Sequence, residues 1–589
     1  MGGGITRSRN ATGGTRYSSA SRCLWLLALM AFALAVVVCR LVWIQGVEGP
    51  ALALKAEKQR MRDMTLSARR GSIYDRDGQP LAVTIAAKTI YAVPAQVLDA
   101  TATARTIART VGGSASAYLT KLHKHSAFVY VVRKADVTRA TALQNLRIVG
   151  IGFLDDSRRV YPLGDLACQV LGFVGIDDSG LAGVERQYDS VLAGVPGRVV
   201  AERDPMGQII PGGIVTAQDP VDGQAVHLTI DNDIQYQAQL DLAAAVRQFG
   251  AAGGSVVVMD PRDGAILAIA STPYFDPNRF ARAKQDAMRN KSIADAYEPG
   301  STLKAMTAAA AIDQSLYTPS SMFLLPPTLQ VGNRVIHDAE TRGTVTWSLT
   351  KIVTQSSNVG AVKIGQGLGR RRLLAAFKRF GLGSRTGVDF PGESAGALPA
   401  TSTWSLSTMG NIPFGQGLSV TPLQLGRALS AIANGGTLVT PHLVSAVGSV
   451  PTTFAASPER VISQRTAQAT TVMLTDVVRD GTGIGAAVPG YEVAGKTGTA
   501  QVPAPGGRGY LKNVYVSSFA GFLPASDPRV LIVVTVDEPK TGMYGGTVAA
   551  PAFSALARFC VEHLRVPPAP RIKMPSGLKA VRTVGRGND

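Results

Sequence analysis

Three short patterns in this chain carry residue types capable of covalent chemistry, and each occurs more than once. S-x-x-K stands at Ser301/Lys304, Ser348/Lys351 and Ser576/Lys579; S-x-N at Ser8/Asn10 and Ser356/Asn358; K-T-G at 496–498 and 540–542. A serine hydroxyl is a weak nucleophile until a base takes its proton. A lysine amine can be that base only when neutral, and burial or a second nearby cation lowers its pKa into a useful range. A Ser-Lys pair one helical turn apart therefore points to acyl transfer through a covalent serine intermediate.

Context sorts the copies. Ser301 follows Glu298-Pro299-Gly300 and opens an Ala-rich helical stretch, Ser301–Asp313. Backbone N–H groups in a first helical turn lack intrahelical partners, and the dipole there favours an anion. Lys304 shares that helix face. Ser348 is expected mid-helix, within 345–355, with no free N–H groups around it. Ser576 lies in a Pro-rich tail, and Ser8 precedes an apolar segment. Ser356-Ser357-Asn358 is expected to end a helical stretch, where a hydroxyl and an amide can relay a proton and hold a substrate amide. Ser and Asn also favour helix ends for purely structural reasons.

Lys496-Thr497-Gly498-Thr499 sits in a strand-like run, Tyr491–Gln501. Gly498 would let a substrate backbone lie alongside, and Lys496 with the two hydroxyls could bind a carboxylate. Lys540 follows Pro539 and precedes Tyr544-Gly545-Gly546, so it reads as a loop. Residues 490–497 also fit G-x-x-x-x-G-K-[ST], the phosphate loop of ATPases. That loop must open directly into a helix, and Pro503, Pro505, Gly506 and Gly507 forbid one.

The elements around these motifs read as strands, then helices, then strands. Ile234–Phe249 has helical spacing, and Gly254–Ala270 reads as a hairpin around Arg262-Asp263-Gly264. Helical stretches follow at 345–355, 371–379 and 421–434. Strands are expected at 491–501, 514–523 and 529–537, then an apolar helix at 551–564. That order predicts an α+β domain, 228–566, whose antiparallel sheet is assembled from both ends with helices packed on it. Before it, 45–227 is broken by turn signals and forms a separate non-catalytic module. After it, 567–589 is a Pro-rich basic tail.

The N-terminus carries Arg7, Arg9, Arg16 and Arg22 without an acid, and Cys23–Cys39 then runs without a charge. With Leu41–Ile44 this is long enough to span a bilayer, so one transmembrane helix is expected over 23–44. The basic tail 1–22 would be cytoplasmic. Ala51-Leu52-Ala53 resembles a cleavage site, but the apolar run exceeds that of a signal peptide. A lipoprotein site at Cys39 is opposed by the bulky Val38.

The net charge is +19, from 60 Lys+Arg against 41 Asp+Glu, which suits anionic surroundings as well as a plain solvated surface. Hydrophobic residues make up 46%, a globular composition. Four Cys exclude a disulfide scaffold, and the six scattered His give a zinc site little support.

The ordered set S-x-x-K, S-x-N and K-T-G resembles the penicillin-binding proteins and serine β-lactamases. Arg70-Gly71-Ser72-Ile73-Tyr74-Asp75-Arg76-Asp77-Gly78, Gly172-Phe173-Val174-Gly175, Gly180–Glu185 and Gly194-Val195-Pro196-Gly197 look like the pedestal (dimerisation-type) module of class B penicillin-binding proteins. Tyr297–Lys304, Phe414-Gly415-Gln416-Gly417, Thr421–Gln424 and Gly495–Ala500 match the transpeptidase domain. Met288-Arg289-Asn290 and Gly545-Gly546 with Ala549-Ala550-Pro551 are similar to the division-specific, FtsI-type branch. Relatives often carry His at the place of Gln169.

This resemblance implies a penicillin-binding/β-lactamase-like transpeptidase fold and a D,D-transpeptidase that cross-links peptidoglycan stem peptides during septal wall synthesis. Ser301 would attack the penultimate D-Ala carbonyl, Lys304 would be the general base, and Ser356 and Asn358 would assist proton transfer and positioning. Lys496, Thr497, Gly498 and Thr499 would hold the terminal carboxylate, with the Ser301 and Thr499 N–H groups as oxyanion hole. No metal or organic cofactor is implied, and no nucleic acid. The implied partners are D-Ala-D-Ala stems, β-lactams, the membrane, the septal glycosyltransferase FtsW and other divisome proteins. With no repeat module after the transpeptidase domain, a Gram-negative inner membrane with a periplasmic catalytic domain is expected. The alternatives are an elongation-specific class B transpeptidase, a membrane-bound β-lactamase, or a scaffold.

Overall fold

The computed structural model describes residues 19–203, 209–452, 459–506 and 509–578. Arg7, Arg9, Arg16, the Ser8/Asn10 pair and Lys579 lie outside them. The chain forms two compact units. One holds the residues up to Ser67 together with Pro196–Val221; the other holds Ala68–Val195 and Asp222 onward.

In the first unit, helix α1 (Ser19–Trp43) has no buried residue, and the helical run continues to Lys55 with a composition apolar enough to cross a membrane. A three-stranded antiparallel sheet follows, in the order Met61–Leu66, Gly197–Arg203, Ile209–Gln218.

The second unit begins with a sheet built on the long strand β1 (Pro80–Ala92), which pairs antiparallel with β2 (Val129–Ala135) and β3 (Ile151–Val160). Helices Ala100–Val111, Ala115–Leu122 and Val137–Asn145 cover it, capped by Asp99, Ser114 and Asp136. Next to this lies a buried ion cluster. Glu185, fully buried, accepts from Arg70 Nε and Arg159 Nε at 2.7 Å each and from the Tyr161 hydroxyl at 3.1 Å. Arg70 also reaches Asp189 at 2.6 Å, and Arg159 donates to the Gly71 carbonyl at 2.7 Å. The motif residues Arg70 and Glu185, 115 positions apart in sequence, thus meet as one buried network. Asp75 closes the motif's turn by accepting from the N–H groups of Asp77 and Gln79. Gln169 is buried, and its amide donates to the carbonyls of Ser271, Pro273 and Ala287. It fastens the short helix Cys168–Leu171 to the catalytic part of the unit.

That part has a five-stranded antiparallel sheet. Helix α2 (Asn232–Gln248) precedes β4 (Gly253–Met259) and β5 (Ile266–Thr272); α3 (Lys304–Asp313), α4 (Asn358–Leu368), α5 (Pro422–Ala433) and α6 (Gln464–Asp480) follow; then come β6 (Ala494–Pro503), β7 (Tyr510–Leu523), β8 (Val530–Asp537) and α7 (Ala550–His563). The sheet order is β5-β4-β8-β7-β6, so strands from both ends of the segment interleave and β6 is an edge.

Alternation within the strands explains their continuous apolar runs. Val256, Val258, Ile532 and Val534 pack with Ile234, Leu242 and Phe553 from α2 and α7; Val257, Met259, Leu531 and Val533 pack with residues of α3 and α5 such as Met306 and Leu425. A strand buried on both faces needs apolar residues at every position, and each such Val or Leu contributes about 1.5–3 kcal/mol.

The described part of the C-terminal tail lies against this domain. Ile572 N–H donates to Glu492, the Ser526 hydroxyl to the Pro570 carbonyl, and Gln468 to the Lys573 carbonyl.

Candidate active site

Ser301 lies in a 3-10 turn, Gly300–Leu303, that runs straight into α3. The turn is held from two sides. Thr302 Oγ1 donates to the Pro299 carbonyl at 2.8 Å, and Gly300 N–H donates to the Gly415 carbonyl at 3.0 Å. Gly415 has φ +89°, and a Cβ there would meet the Gly300 oxygen at 2.1 Å. The Phe-Gly-Gln-Gly loop can press this closely on the serine turn only with glycine. Helix α3 is buried from Lys304 to Ile312; its alanines let neighbouring elements close around it and fix Lys304 at its start.

Lys304 is 2% exposed. Its amine donates to the Ser356 carbonyl at 2.5 Å and to Asn358 Oδ1 at 2.7 Å, and lies 3.3 Å from Ser356 Oγ. The helix Leu349–Thr354 ends just before Ser356, as expected, but Asn358 opens α4 rather than ending a helix; in the break between them Ser356 has φ +57° and Ser357 caps α4 through the Gly360 N–H. A left-handed serine is strained and persists only where its surroundings over-determine it.

Those surroundings include a residue the sequence did not single out. The Asp338 carboxylate accepts from the Ser357 hydroxyl at 2.9 Å and the Val359 N–H at 3.0 Å, and the carbonyl of His337 accepts from Asn358 Nδ2 at 3.0 Å.

Lys496 reaches the same place from the edge strand. Its amine is 3.0 Å from Ser356 Oγ and 3.2 Å from Thr497 Oγ1, and the residue is 1% exposed. In β6, Gly498 lies opposite Ser518 of β7. A Cβ at 498 would meet Ser518 Oγ at 2.3 Å and the Pro299 carbonyl at 2.9 Å, so glycine is what lets β6 lie against the serine turn. Thr497 shares a hydrogen bond with Thr482 at 2.7 Å, and Thr499 Oγ1 accepts from Gly545 N–H at 3.1 Å. Thr482 is a second neighbour that no sequence motif marked.

Burial pushes the Lys304 amine well below its ordinary range, the Lys496 charge pushes it the same way, and Asp338 opposes both. Burial lowers Lys496 to about 7. A neutral Lys304 can donate its two hydrogens to the Ser356 carbonyl and Asn358 Oδ1, which leaves its lone pair for a hydroxyl proton.

The decoy motifs separate from this centre. Ser348 is not mid-helix. It ends the strand Val345–Ser348 and caps the following helix through the Lys351 N–H, while the Lys351 side chain is exposed. Ser576 lies in a turn near the C-terminus, and Lys540 is exposed in the loop after β8. The 490–497 segment leads into a strand, not a helix, as a phosphate loop would require.

Comparison with known proteins agrees with this geometry. The family described as the penicillin binding protein transpeptidase domain matches residues 254–558, and the penicillin-binding protein dimerisation domain matches 65–228. Penicillin-binding protein PbpB of Mycolicibacterium smegmatis is 35% identical, over 94% of this chain and 92% of its own length. Peptidoglycan D,D-transpeptidase FtsI of Escherichia coli K12 is 32% identical, over 92% of each. The crystal structure of penicillin-binding protein 3 from Mycobacterium tuberculosis complexed with aztreonam superposes with a TM-score of 0.69 at 33% identity, over 86% of this chain and 99% of that one. These likenesses run through the pedestal and the catalytic segment alike, and the chain therefore belongs to the class B penicillin-binding protein transpeptidases.

Proposed function

We propose that this chain is a serine-type peptidoglycan D,D-transpeptidase in which Ser301 is the nucleophile and Lys304 its base. The observation that carries the reading is the convergence on the Ser356 hydroxyl of two buried lysines, one of which, Lys304, follows Ser301 by three residues. Similarity to a protein named peptidoglycan D,D-transpeptidase, and to one solved with aztreonam, supports it.

The reaction follows from the groups present. Ser301 Oγ bonds to the carbonyl carbon of the penultimate D-Ala as its proton passes to Lys304 Nζ. The backbone N–H groups of Ser301 and Thr499 hold the oxyanion, an effect worth about 3 kcal/mol per donor. Collapse breaks the C–N bond, and the departing D-Ala nitrogen takes a proton relayed from Lys304 through Ser356. The amine of a second stem then attacks the acyl carbon and loses a proton to Lys304. Ser301 leaves with a proton restored to its oxygen. Lys496, Thr497 and Thr499 hold the donor carboxylate, and the open edge of β6 receives the stem as an added strand. A β-lactam enters as the acyl donor and remains on Ser301 because its leaving nitrogen stays tethered.

We place α1 across the inner membrane, with the N-terminus cytoplasmic and the catalytic unit periplasmic. The role is septal, beside FtsW and other divisome proteins. A soluble form beginning near Val47, exported to the periplasm, should fail to support division; full complementation would count against that role.

The chemical assignment is tested by covalent labelling with a fluorescent penicillin and mass mapping of the modified peptide. Ser301→Ala should abolish labelling, whereas Ser348→Ala and Ser576→Ala should leave it intact. Retained labelling in the Ser301 variant sinks the assignment, and rapid penicillin hydrolysis by the wild type would favour a β-lactamase.

A further inference from the structure

We infer that the exposed face of the helix Arg370–Arg379 is a docking surface for the peptidoglycan polymer: it binds wall carboxylates by charge, outside the catalytic cleft, and keeps uncross-linked stems near Ser301. The inference rests on the reading of the chain as a peptidoglycan transpeptidase.

The charge is concentrated in one stretch. Residues 341–388 hold nine Lys and Arg and no acid. The densest part is Arg370–Arg379, a single helix. Its Leu373, Leu374, Ala376 and Phe377 are buried, and helical spacing puts Arg371, Arg372, Ala375, Lys378 and Arg379 on the opposite, exposed face. Ala375 stands three or four residues from each of the four cations, so they ring one small side chain. Arg379 is partly engaged: it donates to the Val461 carbonyl and lies 3.7 Å from Asp313. Among the described residues, Arg371, Arg372 and Lys378 have no ion-pair partner.

Local stability does not account for these cations. Arg370, Arg371 and Arg372 fill the first turn, where positive charge opposes the helix dipole, and the N-cap Gly369 makes no side-chain cap. Leu373 and Phe377, packed in the core, are what hold the helix to the domain.

The surface also lacks what a folded partner or a bilayer would need. No large apolar side chain is exposed from Ile336 to Ser405. Protein interfaces centre on aromatic or aliphatic anchors, and a helix lying on a membrane inserts its apolar face; here that face is in the core. A hydrated polymer with many carboxylates requires charge alone, and every uncross-linked stem ends in a carboxylate. The position fits as well. Helix α4 runs from Asn358 in the active site to Leu368, about 16 Å away, and the arginine helix begins two residues later.

The test is low-speed sedimentation of the full chain, in neutral detergent, with purified insoluble peptidoglycan. The protein is first acylated with penicillin, so the catalytic cleft is filled and capture reports the outer surface. Wild type should pellet with the polymer at about 50 mM salt and be released at about 500 mM. Peptidoglycan whose carboxylates have been converted to amides should not hold it. The triple variant Arg371→Gln, Arg372→Gln, Lys378→Gln should bind at least about tenfold more weakly. Ala375→Glu should do the same. Its carboxylate lies within about one turn of all four cations and supports the helix, so its loss of binding is not a loss of fold. Both variants should keep the acylation rate with a small fluorescent penicillin within about threefold of wild type. No capture of wild type at low salt, undiminished capture by the amidated polymer, or variants that bind within about threefold of wild type would overturn the inference. So would loss of wild-type capture in anionic-lipid vesicles but not in neutral ones, which would put the surface on the membrane. Labelling of Ser301→Ala would instead overturn the underlying assignment of the nucleophile.

Discussion

The amines of Lys304 and Lys496 stand 3.3 and 3.0 Å from one hydroxyl, that of Ser356, which bridges them. Two ammonium groups cannot share so dry a space cheaply, since each loses its hydration and repels the other. Lys304, which opens the helix that follows the Ser301 turn, is pushed well below its ordinary range by burial and by the Lys496 charge, and burial lowers Lys496 to about 7. The pair therefore divides its work: the first lysine is free to take a proton, and the second is the one left to hold charge.

This division sets a pH dependence. As pH falls through the lowered Lys304 value, the base becomes protonated and acylation stops. As pH rises through about 7, Lys496 loses its proton and its hold on a substrate carboxylate. With a carboxylate-bearing donor, kcat/KM should be bell-shaped, with the basic limb beginning near about 7. Lys496→Arg keeps its charge at any of these pH values and should lose the basic limb at a reduced plateau. A basic limb unchanged in that variant would show that another group controls it.

The same lowered values act on stability. Both lysines bind fewer protons folded than unfolded between their lowered values and about 10.5, so their contribution to stability rises with pH across that window. Between about pH 7 and pH 9, the melting temperature of wild type should gain on that of Lys496→Met as pH rises. Parallel melting curves for the two proteins would contradict the burial of a titrating Lys496.

The two K-T-G copies make opposite predictions. Lys496→Ala should slow β-lactam acylation by at least about 100-fold, the scale of about 2.7 kcal/mol of transition-state stabilisation. Lys540→Ala, in an exposed loop, should change it by less than about threefold. ATP binding should be undetectable in both proteins. Greater damage from Lys540→Ala would place the site on the wrong segment.

Gly498→Ala brings a Cβ within 2.3 Å of Ser518 Oγ and 2.9 Å of the Pro299 carbonyl. The strand must move away from the serine turn, so acylation should fall at least about tenfold. Adding Ser518→Ala relieves the first contact and not the second, and should restore only part of the rate. Full activity in the single variant would show that β6 tolerates the extra methyl.

In the pedestal, Glu185→Ala leaves Arg70 and Arg159 buried without their shared carboxylate. Stability should fall by about 3–5 kcal/mol, read by denaturant unfolding of the detergent-solubilised chain. A change below about 1 kcal/mol would mean that water enters and solvates the arginines.

What could be read from the sequence was local. The Ala-rich stretch after Ser301 and the runs Val256–Met259 and Leu531–Val536 announce a buried helix and buried strands without knowledge of their partners. Capping residues mark boundaries that periodicity does not. Ser348 sits three residues before Lys351 at the end of the β-prone Val345-Thr346-Trp347, the signature of a strand running into a capped helix. Helix α6 is hidden in the sequence by its threonines, which are weak helix formers, although Ser463 caps it. Asp338 was invisible for a different reason. Nothing near Ile336-His337-Asp338-Ala339 marks it, and its partners lie about 20 residues away across a turn whose shape only the folded chain defines.

The burial of α3 on every side has a consequence for how β-lactam resistance can arise. Ala305 and Ala308–Ala311 are at most 2% exposed, so any larger residue there would displace the helix that carries Lys304 and follows directly on the Ser301 turn. Mutational escape is barred from the floor of the drug site. It is channelled instead to exposed residues beside the site, such as His337 next to Asp338. There, a substitution can turn away a bulky antibiotic while a slender stem peptide still passes.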